Sequence, residues 1–81
     1  MKYMWESRDI RVGRRVIAWN DTEEYIIGYM ADVEGHQRYA LISLIDGQVV
    51  HQHLDANEMS ALFNKSFLKP VSIEKEQKHV R

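Results

Sequence analysis

The 81-residue chain contains no cysteine, one proline and four glycines. Without cysteine it can build neither a disulfide framework nor a thiolate zinc site, and a reducing, intracellular compartment fits such a chain. Long apolar runs are also missing. The N-terminus MKYMWESRDIRVGRR interrupts its apolar residues with Glu6, Arg8 and Asp9, so it offers no signal-peptide core and nothing long enough to span a bilayer. The expectation is a cytoplasmic protein with no membrane contact. There is no Gly-rich phosphate loop, no thiol nucleophile and no recognisable frame of paired acids, so no enzyme activity and no cofactor are expected.

A chain of 81 residues allows one domain, and surface-to-volume scaling leaves its core marginal unless packing is efficient or a second subunit contributes. A homodimer is compatible with that constraint. The net charge is −1, but its distribution is uneven. Up to Trp19 the chain carries Lys2, Arg8, Arg11, Arg14 and Arg15 against Glu6 and Asp9, a local charge of +3. Residues 20–35 then carry Asp21, Glu23, Glu24, Asp32 and Glu34 with no Lys or Arg. Two readings stand: the asymmetry steers a charged partner, or the two signs neutralise each other across adjacent strands.

What the chain does have is β-type segments punctuated by turns, at residues 10–19, 25–33, 38–45 and 48–54, followed by a capped helical turn. The first segment places Val12, Val16 and Ala18 on one face and Ile17 and Trp19 on the other, with Gly13 as a bulge or a close-approach site. After the polar cluster at residues 20–24, Tyr25, Ile27, Tyr29, Ala31 and Val33 share one side. Glu34-Gly35 closes this second strand. Asp46-Gly47 carries the stronger turn signal and predicts a two-residue type I′ hairpin. Tyr39, Leu41 and Ile45 against Ala40, Ile42 and Leu44 predict a third strand covered on both sides.

Asp55 as N-cap with Glu58 three residues later predicts a helix from residue 55 to about Asn64 or Lys65. Its stripe Met59, Leu62 and Phe63 packs inward, and Glu58, Ser60 and Asn64 face water. Residues 67–73 return to β-type, with Pro70 demanding an edge or a strand end.

Four strands, a short helix and a last strand is the order of SH3-like barrels. Gly13-Arg14-Arg15-Val16, Ala18-Trp19, Tyr25, Gly28 and Leu44-Ile45-Asp46-Gly47 together resemble the Tudor-like and KOW-like branch of that family, from about Ile10 to Ile73. The resemblance implies a mainly β, SH3-like five-stranded small barrel over residues 10–73, with one short helix before the last strand. An N-terminal arm (1–9) and a polar C-terminal tail (74–81) flank it.

Tudor-like domains that read methylated lysine or arginine hold the cation in an aromatic cage. Trp19 and Tyr25 match two cage positions, but Leu44, Ile45 and Gln48 stand where a further aromatic belongs. Tyr29 or Tyr39 could substitute; a core or interface role is the competing reading. KOW-like modules contact RNA, the ribosome or polymerase, and Arg11, Arg14, Arg15, Trp5 and Trp19 could furnish a basic, stacking surface. The slightly negative total charge argues against it.

His51 and His53 fall on one face of a regular strand, a spacing that suits zinc or pH sensing. A metal needs further ligands, from His36, Asp32 or Asp55, whose proximity nothing in the sequence fixes, so no metal site is assigned. Ser43 with His51 or His53 and Asp46 makes a triad on paper only, because strand alternation opposes it.

These readings converge on a non-enzymatic protein-interaction or regulatory module whose contact surface is Trp5, Arg14, Arg15, Trp19, Tyr25 and Tyr29, since Trp, Tyr and Arg dominate interface hot spots. Its size suits a bacterial or phage accessory factor that binds a host protein. The alternative is a KOW-like module binding RNA or single-stranded DNA.

Overall fold

A computed structural model of the chain describes residues 3–71, and the expected tail at 74–81 lies outside them. The chain is mainly β: β1 (Arg15–Ala18), β2 (Glu24–Val33), β3 (His36–Ser43), β4 (Val49–Leu54), helix α1 (Ala56–Lys65) and β5 (Leu68–Pro70). The five strands form one antiparallel sheet in the order β4-β3-β2-β1-β5, which leaves β4 and β5 as its two edges.

One face of the sheet carries the core because the register aligns its apolar residues. Val16 stands opposite Tyr25, Ile27 opposite Leu41, Tyr29 opposite Tyr39 and Ala18 opposite Leu68. Helix α1 covers this face with Met59 and Phe63, which are fully buried together with Val16 and Ile27. The opposite face is also partly closed, since Ala40 and Ile17 are buried there. Gly28 makes room on that face for Ile42, whose Cδ1 would lie 2.8 Å from a Cβ at this position and would have to shift to admit one.

The capping box of α1 forms as its sequence predicts. Asp55 Oδ1 accepts the Glu58 N–H at 2.7 Å and Glu58 Oε1 accepts the Asp55 N–H at 2.9 Å. Ser60, expected in water, is instead buried, and its hydroxyl donates to the Asn57 carbonyl at 2.9 Å. That local bond satisfies the hydroxyl and allows its burial. Phe67, at φ +58°, turns the chain out of α1 in a conformation that helix C-termini ordinarily assign to glycine. The last strand begins after it, with Pro70 on the sheet edge.

The type I′ turn expected at Asp46-Gly47 forms instead at Glu34-Gly35. Glu34 and Gly35, at φ +53° and +80°, lie between the paired residues Val33 and His36, as a two-residue type I′ turn requires. At Asp46-Gly47 only Gly47 has positive φ, and β3 ends at Ser43 instead of Ile45. Ser43 N–H donates to Gln48 O at 2.8 Å and Gly47 N–H to Ser43 O at 2.9 Å, so residues 44–47 all belong to the loop. The Asp46 carboxylate accepts the Gln48 N–H at 3.0 Å, and this side-chain turn replaces the expected tight one.

The first strand is shorter than expected. Ser7–Asp9 form a single 3-10 turn and β1 starts only at Arg15. Gly13, at φ +89°, donates to Ile27 O at 2.7 Å while Arg14 O accepts the Ile27 N–H at 2.9 Å, so two residues stand opposite one in a bulge. No atom lies within 4 Å of a Cβ built there, so backbone conformation, not close approach, is what calls for glycine.

The segment before the sheet is not a free arm from Tyr3 onward. Trp5 is 3% exposed and joins the core with Ile10. Its backbone N–H donates to Asn64 Oδ1 at 2.7 Å, its carbonyl accepts from Asn64 Nδ2 at 3.0 Å, and its indole N–H donates to Leu68 O at 2.8 Å. Edge-to-face contacts with Tyr3 at 4.9 Å and Phe63 at 4.8 Å complete the pocket. Trp5→Ala is expected to cost about 3–5 kcal/mol in urea denaturation, and Asp55→Ala only about 1 kcal/mol.

Candidate interaction surface

The structure scatters the six residues expected to form a contact surface. Trp5 is buried in the core, because its ring meets Phe63 and its indole N–H is spent on Leu68. The Arg14 guanidinium lies 5.5 Å from the Trp5 ring centroid and donates to the Asp9 carbonyl at 3.2 Å. Arg15 Nε donates to Glu24 Oε2 at 2.6 Å across the β1–β2 pair, so these two charges neutralise each other between strands. Lys69 does the same for Asp21 at 3.3 Å.

Trp19 is 45% exposed, and the Lys69 ammonium sits 5.1 Å from its ring centroid. The chain's own cation thus lies over the ring that a cage reading assigns to a methylated ligand. Tyr25 belongs to the other face of the sheet, where it stands opposite Val16 and packs against the core. The two aromatics do not converge. Tyr29 is exposed further along β2, opposite Tyr39.

The histidine pair is also separated. His51 stands opposite Leu41 and Leu54 opposite Tyr39, so β4 contains an extra residue between them, and His53 adopts φ +63°. The irregularity puts Leu54, not His53, on the face of His51. Among the described residues no group of three or more His, Asp or Glu is placed to hold a metal. Ser43 Oγ accepts the Ile45 N–H at 3.2 Å, a turn-stabilising role that leaves the paper triad without geometry.

Exposed apolar side chains are frequent in the short stretch from the end of β3 to the start of β4. Leu44, Ile45, Val49 and Val50 are all exposed, Ile45 to 69%. They flank the loop that replaced the expected tight turn, and two of them open the edge strand β4. A regular hairpin would have paired Leu44 and Ile45 into the β3–β4 ladder; the run Leu44-Ile45-Asp46-Gly47-Gln48-Val49-Val50 carries the signal as apolar residues crowding a turn.

Behind this edge lies a cleft of about 130 Å³ lined by Tyr25, Leu41, Val50, His51, Leu62, Ser66 and Leu68. Its walls come from β4 on one side and from α1 and the start of β5 on the other, so it occupies the open side of the sheet. Every buried side-chain polar atom among the described residues has a hydrogen-bond partner, and none waits unsatisfied for a ligand. Leu41, Val50, Leu62 and Leu68 make the cleft lining mostly apolar, with Tyr25, His51 and Ser66 as its polar members. No described helix is long and apolar enough to cross a membrane. Comparison with protein-family models, with curated proteins and with solved structures finds no match.

The Tyr25 hydroxyl at the cleft donates to Glu23 Oε1 at 2.5 Å. This bond first, then burial and the Glu23 charge, push the Tyr25 pKa up to about 12 from its ordinary 10.0. The folded-state value is the higher one, so the stabilisation is complete below pH 10 and is lost as pH rises from 10 to about 12. In a tyrosinate absorbance titration, one tyrosine should ionise near pH 12, and Tyr25→Phe should remove that step. Glu23→Gln should bring it back toward the ordinary value. A single transition common to all tyrosines would contradict the assignment.

Proposed function

We propose that the chain is a non-enzymatic protein-interaction or regulatory module of the SH3-like type, a small barrel left open between β4 and β5. Its contact surface is the apolar end of the β3–β4 pair, not the first hairpin. The observation that carries this reading is that Leu44, Ile45, Val49 and Val50 are all exposed within residues 44–50, at the loop and the start of edge strand β4, where Val50 also lines the cleft. Contiguous exposed apolar groups on a small domain mark interaction sites more than they mark anything else. An edge strand that opens with two valines lacks the charged guards that ordinarily blunt edges.

The nucleic-acid alternative loses its main residues to internal work, since Arg14 lies on Trp5 and Arg15 pairs with Glu24. Phosphate binding through them would compete with the Asp9 carbonyl for Arg14 and with the Glu24 carboxylate for Arg15. A small accessory factor that masks a surface on a larger protein suits the exposed apolar residues of the β3–β4 end.

The test is capture from nuclease-treated native lysate with the unaltered chain, Ile45→Asp and Val49→Asp. Both sites are more than half exposed, so each substitution should change stability by less than about 0.5 kcal/mol while abolishing capture of a stoichiometric protein. A partner retained at full yield by both variants would refute the assignment. Binding that vanished on nuclease treatment, with a steep salt dependence, would move the reading to nucleic acid.

A further inference from the structure

The face of the sheet turned away from α1 carries apolar residues across four strands. By register, Arg15, Ile26, Ile42 and Val49 stand in one row and Lys69, Ile17 and Glu24 in the next, which the Leu44 N–H extends by donating to Glu24 O at 2.9 Å. Gly28 opposite Ala40 and Met30 opposite Arg38 continue this face along β2 and β3. An antiparallel sheet face turned to water ordinarily carries polar side chains at such alternate positions. Ile17 and Ala40 are buried here without belonging to the core under α1, whereas Val49 is more than half exposed. We propose that this face is covered by the same face of a second copy of the chain, in a weak twofold dimer. The inference goes beyond the partner-binding reading above, which uses the loop at Ile45.

The charges of the face argue for an identical occupant. A twofold contact sets each group near its own copy, so an unmatched charge would meet its like. Here Arg15 is matched by Glu24, Lys69 by Asp21, and Arg38 by Asp55 and Glu58, all within one chain. Such a face does not repel its copy and offers no spare charge to an acidic or a basic partner. The copy brings an equally apolar, equally neutral surface of the same extent. Its relief is compatible with close approach, because Ile42 Cδ1 lies over Gly28, 2.8 Å from where a Cβ would stand, and fills the gap beside the glycine. Two sheets in face-to-face contact pack about 10 Å apart.

The chain itself has little else to put there. Among the described residues, the N-terminal segment and α1 lie on the core side, where Trp5, Ile10, Met59 and Phe63 are buried together. Residues 72–81 bring only Ile73 and Val80 as apolar side chains, among Glu74, Lys75, Glu76, Lys78 and Arg81. From Glu24 to Met30 the face is about 20 Å long, and four strands make it about 19 Å wide at ordinary residue and strand spacings. A plan area of roughly 400 Å² lies at the low end of specific interfaces and corresponds to a dissociation constant on the order of 10–100 µM.

The experiment is sedimentation equilibrium of the full chain over about 5–500 µM, with amide chemical shifts recorded across the same dilution. The average mass should rise from 9.6 kDa toward twice that value, and dilution should move the amides of Ile26, Gly28, Ala40, Ile42 and Val49. Val49→Asp, at a site more than half exposed, should leave the chain folded and weaken association at least about tenfold. Ile45→Asp, outside the β3–β4 ladder, should dimerise like the unaltered chain. A mass of 9.6 kDa at every concentration would overturn the proposal. So would growth beyond a dimer, which marks pairing through open edges, or dilution shifts confined to residues 44–48 or to the cleft. Movement of the face amides only on addition of a captured protein would assign the face to that protein instead. The dilution shifts need no variant, so they decide the matter even if Val49→Asp unfolds. If the chain stays monomeric while Ile45→Asp releases a captured protein, the dimer fails and the partner-binding reading stands. If Ile45→Asp and Val49→Asp both retain that protein, the partner-binding reading fails and the dimer is judged on sedimentation alone.

Discussion

The clasp between Trp5 and the end of α1 holds together parts of the chain that no strand pairing connects. Trp5 and Asn64 are 59 residues apart, and they exchange two hydrogen bonds while the indole N–H reaches the Leu68 carbonyl where β5 begins. Helix α1 contacts the sheet through Met59 and Phe63, and the Trp5 ring meets Phe63 edge to face. A domain this small cannot spread its core over many layers, so one large aromatic at the junction of the N-terminal segment, the helix and the last strand carries an outsized share of burial. The Arg14 guanidinium over the outer face of the ring extends the same assembly to the residue that precedes β1.

That use of Trp5 and Arg14 decides how the surface is left. Side chains that look like binding residues in isolation are consumed in joining elements: Arg14 over Trp5, Arg15 on Glu24, Lys69 between Asp21 and Trp19. Individually such exposed pairs contribute about 0–1 kcal/mol, but they remove the cations from the pool available to an anionic partner. The apolar side chains at the β3–β4 end have no such internal use. They sit where the sheet stops, beside a cleft that exists because β4 and β5 do not meet. Of the two edges, β4 is broken by register shifts and β5 carries Pro70.

Much of the fold was legible in the chain because it rests on local chemistry. The Asp55–Glu58 capping box, the inward stripe at Met59 and Phe63, the succession of four strands, a helix and a short edge strand, and the glycine turn after Glu34 all follow from spacing and from side-chain hydrogen bonding within a few residues. The points that differ involve competition between local and distant partners. Asp46-Gly47 has the composition of a tight hairpin, yet the Asp46 carboxylate binds the Gln48 N–H and the wider loop leaves Ile45 outside the β3–β4 ladder, while the Leu44 N–H still donates to Glu24 O of β2. The His51 and His53 spacing predicts a shared face only for a regular strand, and an extra residue in β4 breaks the alternation.

By itself, then, the amino-acid order determined the succession of five strands with a capped helix before the last, because propensity and hydrogen bonding over three or four residues suffice for these. Only the tertiary structure decided which aromatics are core and which are surface. Trp5 and Trp19 are the same residue type with cations within reach of each, yet one is 3% and the other 45% exposed. The difference lies in Asn64, Phe63 and Leu68, residues more than fifty positions away from Trp5, and no local pattern encodes a meeting of that range.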